Sequence, residues 1–133
     1  TFCALAKAEV PPNLILDGVN FLPVLQGKPL VREKPLVWAY FNALNDARVA
    51  MRYGRGKALA KLNGGKLAKL PNVTVDSANL VRDAKLTDIE VYDLSTDIGE
   101  SRNVADEDPA RTAKLKAALE QQYRELVQAS HVW

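Results

Sequence analysis

Polar and apolar residues alternate along Glu90-Val91-Tyr92-Asp93-Leu94, the period of a half-buried strand. The same alternation runs through Ala47 to Tyr53, with Ala47, Val49, Met51 and Tyr53 on one face. Gly54-Arg55-Gly56 then predicts a tight reversal, with Lys57 to Leu62 returning as the partner strand. Leu36 to Phe41 is a continuous apolar run rich in aromatic and branched residues, and it predicts a buried strand. The period changes after Asp108-Pro109. The aspartate caps free N–H groups, and proline at the first helical position gives up an N–H that has no partner there. Leu115, Leu119, Tyr123 and Leu126 recur at four- and three-residue steps to about Ala129, and Ala118 and Val127 widen that stripe. Together these elements predict an α+β domain, a small antiparallel sheet of about four strands with a long C-terminal helix packed across one face.

The remaining segments carry weaker patterns. Thr1 to Ala8 is helix-prone from its first residue and reads as the end of a helix from a longer chain. Glu9-Val10-Pro11-Pro12 stops it. Asp17-Gly18 signals a turn, Phe21 to Leu25 a turn or so of helix, and Gly27 its stop. Lys28 to Lys34 is a charged connector. Lys66 to Thr87 has no strong period, apart from a short helix expected within Asp76 to Lys85, capped by Asp76 or Ser77, with Leu80, Val81 and Ala84 inward. Ser95-Thr96-Asp97 ends the last strand, and Gly99 is expected to take a backbone conformation that other residues resist.

Three stretches carry a resemblance to a known family. They are Leu16 to Lys28 (LDGVNFLPVLQGK), Arg48 to Leu59 (RVAMRYGRGKAL) and the pattern YDL-x-x-D-x-G-E-x-x-N-x-A-x-x-x-P from Tyr92 to Pro109. As an ordered set they resemble the C-terminal part of the sulfatases, in the arylsulfatase and N-acetylgalactosamine-6-sulfatase branch. The hairpin departs from the family form R-x-V-R-x-G-x-W-K-L, with Gly56 at the usual Trp and Tyr53 at the usual Asp. The resemblance implies a C-terminal region of a sulfuric ester hydrolase acting on sulfated sugars. It divides the chain into 1–27, the end of the main α/β domain with its linker, and 28–133, the C-terminal α+β subdomain, with a variable insertion at about 63–88. It also implies formylglycine and calcium as cofactors in the parent enzyme, the catalytic α/β domain of that chain as partner, and an exported parent (periplasmic, secreted or lysosomal). The loop after the first strand is expected near the active-site mouth, which makes Tyr40, Asn42, Asn45 and Arg48 candidate substrate-binding residues. The role implied is structural and pocket-shaping, with no catalysis by this span alone. A region of this kind is expected to expose apolar residues toward the main domain, with Phe2, Leu5, Phe21, Leu22 and Leu25 as candidates.

Composition and single residues narrow the chemistry. Hydrophobic content of 47% with a net charge of +2 fits a globular chain and gives no argument for nucleic acid. No apolar run approaches the ~20 residues of a membrane span. Cys3 is followed by Ala4-Leu5-Ala6 rather than the x-Pro-x-Arg of a formylglycine precursor, and reads as a small buried apolar residue. His131 is the single histidine and has no evident orienting partner. Asp93, Asp97 and Glu100 do not follow the EF-hand spacing, and capping or surface roles are expected of them. Asn72-Val73-Thr74 matches the N-glycosylation pattern, which arises often by chance. Arg48, Arg52, Arg55, Lys57, Lys61, Lys66 and Lys69 follow one another with no acidic residue between them. That run is a solvated hairpin face or a wall for an anionic sugar. The hairpin 48–69 is also the binding surface of the alternative reading, a free-standing helix-on-sheet module.

Overall fold

A computed structural model describes residues 1–14, 16–41, 46–67 and 73–130. The chain forms two compact units, Thr1–Pro35 and Leu36–Trp133. The first holds two single-turn helices, α1 (Phe2–Leu5) and α2 (Leu22–Leu25). α2 begins on Phe21-Leu22-Pro23, with proline in its first turn, and ends before Gly27, whose positive φ of 74° suits a residue without a Cβ. Cys3 is exposed, contrary to the expectation of burial, because α1 presents no buried side chain at all. Phe2, Leu5, Phe21 and Leu25 are exposed and Leu22 is half-buried.

The second unit is an open antiparallel sheet in the order β1 (Leu36–Tyr40), β2 (Arg48–Tyr53), β3 (Gly56–Leu62), β4 (Leu86–Asp93). A short helix α3 (Ala78–Arg82) precedes β4, and the long helix α4 (Pro109–Ala129) follows it. Period-2 alternation gives each strand an inner and an outer face. The inner face is the core. Val49, Met51, Ala58, Ala60, Leu62 and Val91 are buried against Leu115, Leu119, Tyr123 and Val127 of α4. Leu119 and Met51 are fully enclosed. Each such side chain stabilises the fold by about 1.5–3 kcal/mol relative to exposure. The Asp108 carboxylate accepts from the Arg111 N–H at 2.9 Å, which starts α4 where the sequence places it. The Tyr123 hydroxyl donates to the Val81 carbonyl at 2.8 Å and ties α4 to α3.

Several expectations are corrected. Leu36 to Tyr40 is an edge strand. Val37 and Ala39 pack on the core, while Leu36, Trp38 and Tyr40 are exposed on the other face. β4 starts at Leu86, four residues before Glu90. A register shift opposite Leu59 to Lys61 and a left-handed Asp88 (φ 49°) interrupt the alternation that would reveal it. In α3, Val81 and Ala78 are buried but Leu80 is exposed, and the Ser77 hydroxyl serves the Thr74 N–H instead of capping the helix. Gly99 does not take a positive φ; Glu100 does, at 55°.

Candidate functional site

The sheet's outer face carries the polar chemistry of the second unit. Strand register sets it out in rows: Leu36, Arg52, Lys57, Tyr92; then Trp38, Ala50, Leu59, Glu90; then Tyr40, Arg48, Lys61, Thr87. The middle row is apolar apart from Glu90, and the flanking rows hold the cations. Lys57 Nζ lies 2.6 Å from both Glu100 carboxylate oxygens and 5.7 Å from the centre of the Trp38 ring. The ring face is negative, so the ammonium is held from two sides. Arg48 pairs with Asp46 at 3.5 Å and Glu90 at 3.9 Å, and Lys61 pairs with Asp46 at 3.3 Å. The Tyr92 hydroxyl donates to Glu90 at 2.7 Å. That bond to a carboxylate, with partial burial, pushes the phenol up to about 12. Asp46 lies over Gly65, which has a positive φ of 76° and where a Cβ would meet the Asp46 carboxylate.

The loop from Asp93 to Asp108 is built from side chains that fasten backbone. Asp93 accepts from the Ser95 hydroxyl at 2.6 Å, the Ser95 N–H at 3.0 Å and Arg111 at 3.2 Å, which holds its carboxyl down to about 2. Asp97 accepts from the N–H groups of Arg102 (2.8 Å) and Ser101 (3.1 Å), then from the Ser101 hydroxyl, and these hold it below the usual carboxylate range. The Asn103 side-chain oxygen accepts from the N–H groups of Val91 and Ala105, so the loop covers the free edge of β4. Asp93 and Asp97 therefore serve as turn and cap residues. Among the described residues no group of three His, Cys, Asp or Glu is placed to hold a metal ion.

Of the four sequence-predicted site residues, Tyr40 and Arg48 are paired across β1 and β2 at one end of the outer face. Tyr40 is exposed and Arg48 half-buried. Asn42 and Asn45 lie outside the described residues, as do His131, Asn72 and Lys69. Part of the basic run is neutralised, because Asp46, Glu90 and Glu100 arrive from outside it to pair with Arg48, Lys57 and Lys61. Trp38 and Glu90 come to this face without having been singled out as site residues, while Lys57 enters from the basic run and Glu100 from the acidic group of the last loop. For Trp38 and Glu90 the signal available was even spacing along strands, read together with register.

No family model matches the sequence, and no curated protein does. Solved structures do. The chain superposes on Ps i-CgsB with a TM-score of 0.58 at 20% identity, covering 92% of this chain and 22% of that one. In fold, the chain matches the C-terminal region of a sulfatase. A second match is a protein named BT33336S-sulf, from a Bacteroides thetaiotaomicron study of glycosaminoglycan metabolism, with a TM-score of 0.55 at 25% identity, covering 92% of this chain and 23% of that one. A third, BT4656, was solved with its substrate D-glucosamine-2-N,6-O-disulfate and matches with a TM-score of 0.53 at 21% identity over 96% of this chain and 22% of that one. The chain thus spans less than a quarter of the length of these sulfatase-like structures. Among the described residues no helix is long and apolar enough to cross a membrane.

Proposed function

We propose that the chain is the C-terminal region of an exported sulfatase that removes sulfate esters from sulfated sugars. In this reading it closes the catalytic α/β domain and forms one side of the substrate pocket. The observation that carries it is the fold match over nearly all of this chain and under a quarter of each sulfatase-like structure. The sugar class is supported by two of those structures, one from glycosaminoglycan metabolism and one holding a sulfated glucosamine. The motifs of the sequence resemble the arylsulfatase and N-acetylgalactosamine-6-sulfatase branch, and we place the parent there.

The described residues do not fit the family's cofactors. The Asp93 and Asp97 oxygens are already taken by Ser95, Arg111, Ser101 and Arg102, which leaves no open set for calcium. Cys3 lacks the sequence that formylglycine formation requires. In this reading the formylglycine and the calcium are held elsewhere in the parent, not by this chain. Its contribution is positioning. Tyr40 offers an exposed ring and hydroxyl, and Arg48, with Asp46 at 3.5 Å and Glu90 at 3.9 Å, offers a cation to a sulfated sugar.

The test is kinetic, in the parent enzyme. Tyr40→Ala and Arg48→Ala are expected to raise KM for sulfated sugars several-fold with a smaller effect on kcat. Unchanged kinetics on every sulfated sugar tested would end the pocket-shaping role, and sulfate release by residues 1–133 alone would end the non-catalytic one.

A further inference from the structure

We propose that Asn63-Gly64 is a latent modification site, an asparagine that loses its side-chain amide to its own backbone, and that a clasp from β4 holds the reaction off while β3 and β4 stay paired. The inference does not depend on the enzyme reading. It rests on the turn that follows β3.

The backbone of that turn is left-handed throughout. Asn63, Gly64 and Gly65 take positive φ values of 54°, 64° and 76°. Glycine enters that region freely, and asparagine is among the few other residues that visit it. The turn therefore favours Asn-Gly, and Asn-Gly places an amide nitrogen with no neighbouring Cβ beside a side-chain carboxamide, where ring closure is least hindered. Both residues are exposed, so water reaches them. The step balances with water as the only co-reactant. The Gly64 N–H gives its proton to solvent, and the nitrogen forms a bond to Asn63 Cγ. The Cγ–Nδ2 bond breaks, the departing nitrogen takes a proton back from solvent, and ammonia leaves a five-membered succinimide. Water then opens the ring at either carbonyl, giving aspartate or isoaspartate. Nothing is oxidised or reduced.

Two bonds stand against that step. The Gly64 N–H donates to Thr87 Oγ1 at 2.7 Å, and Asn63 Oδ1 accepts from the Lys85 N–H at 2.8 Å. The nucleophile and its target are thus each committed to a different residue at the start of β4. The Asn63 N–H also donates to the Lys85 carbonyl at 2.8 Å, one step past the last pair of the β3–β4 ladder, Leu62 with Leu86. The Thr87 hydroxyl gives its own proton to the Lys61 carbonyl or the Asp88 carboxylate, each 3.4 Å away, which leaves a lone pair for Gly64. Ring closure needs nitrogen and Cγ at attack distance and aligned. It therefore waits until this end of the ladder opens, an event of local unfolding. Isoaspartate carries the main chain through the former side chain and adds a methylene where residue 63 meets Lys85. An opening that ends in reaction leaves the clasp permanently misfitted.

Peptide mass spectrometry of the intact natural polypeptide tests this. Cleavage after Lys61 and Lys66 releases Leu62 to Lys66, which holds the pair. Amide loss and isoaspartate are followed on that peptide after incubation of the folded protein at mildly alkaline pH, with the free peptide LNGGK as the unclasped reference. The folded protein is expected to react about tenfold or more slowly than the free peptide, because two hydrogen bonds must break first. Thr87→Val is expected to raise the folded rate several-fold and to leave the rate in unfolding urea unchanged. A folded rate equal to that of the free peptide, or one indifferent to Thr87→Val in a folded variant, overturns the clasp. A free peptide that keeps its amide overturns the site. Where circular dichroism finds the Thr87→Val protein unfolded, the wild type decides alone. Urea below the unfolding transition should then speed amide loss in step with hydrogen exchange at the Gly64 N–H, and amide loss that ignores the exchange rate overturns the proposal.

Discussion

Replacing Tyr123 by Phe removes one oxygen from the centre of the core and reports on the docking of α4. The Tyr123 ring is 3% exposed, and its hydroxyl donates to the Val81 carbonyl at 2.8 Å. That carbonyl keeps one long bond from the Ala84 N–H at 3.3 Å, so the loss falls short of a fully orphaned acceptor. A cost of about 1–2 kcal/mol follows. In a chain of this size that is a fall of about 3–6 °C in melting temperature. The substitution has a second signature. Burial raises the Tyr123 phenol from 10.0 to about 12, so the folded state holds this proton more tightly than the unfolded state does. The resulting stability is complete below pH 10 and is lost as pH rises from 10 toward 12. The shift corresponds to roughly 2–3 kcal/mol at the alkaline limit. Phe has no proton to lose, so the difference between wild type and variant should shrink, and can reverse, across that window. Tyr92 is raised into the same range, so both proteins are compared in a Tyr92→Phe background. Urea melts followed by circular dichroism at pH 7 and through the alkaline window give both numbers. A variant with the wild-type midpoint at pH 7, or with an undiminished alkaline decline, would refute the packing of α4 against α3.

Other consequences are as definite. Leu119→Ala empties the middle of the helix–sheet core and should cost about 3–5 kcal/mol by urea denaturation; a cost below that of a surface substitution would deny that α4 covers the sheet. Asp93 is held down to about 2, and Asp97 below its ordinary range, by hydrogen bonds, so their contribution is present above about pH 4 and is lost as pH falls, for Asp93 toward 2. Asp93→Asn should flatten the acid limb of an unfolding profile, and an unchanged limb would count against the loop's hydrogen bonds. Gly65→Ala forces a Cβ into a left-handed residue beside the Asp46 carboxylate and should destabilise the chain by about 1–2 kcal/mol or more, while loosening Asp46 from Arg48 and Lys61. Arg48 side-chain NMR signals that stay put in that variant would contradict the pairing of Arg48 with Asp46.

What the sequence revealed divides by the range of the interaction. Helix α4 was legible to the residue because its start is local chemistry, Asp108 and Pro109, and its buried stripe needs no partner to be seen. The hairpin of β2 and β3 was legible for the same reason: alternation and a glycine at the turn are neighbours in sequence. The first half of β4 is not legible, because Asp88 and the register shift break the alternation that marks a strand. The apolar run of β1 marks a strand but not its exposure. An all-apolar run does not disclose which alternate side chains face the core, and only pairing with Arg48 to Arg52 decides it. The site suffered most. The partners of Arg48, Lys57 and Lys61 come from Asp46, Glu90 and Glu100, and the last two lie 42 and 43 residues from Arg48 and Lys57. No spacing rule connects them before the register is known. The Asp93 to Asp108 motif shows the converse. Its residues were conspicuous as a family pattern, and their work is to fasten a loop and cover β4, with Glu100 alone reaching the outer face.

The central claim is that this chain completes a sulfatase whose chemistry lies elsewhere in the same polypeptide, and the sequence of the natural polypeptide upstream of Thr1 tests it most directly. The account predicts a C/S-x-P-x-R motif within a large α/β domain, on a parent that releases sulfate from sulfated sugars. An upstream sequence without that motif, or no upstream sequence at all, would contradict it and leave only the shared fold.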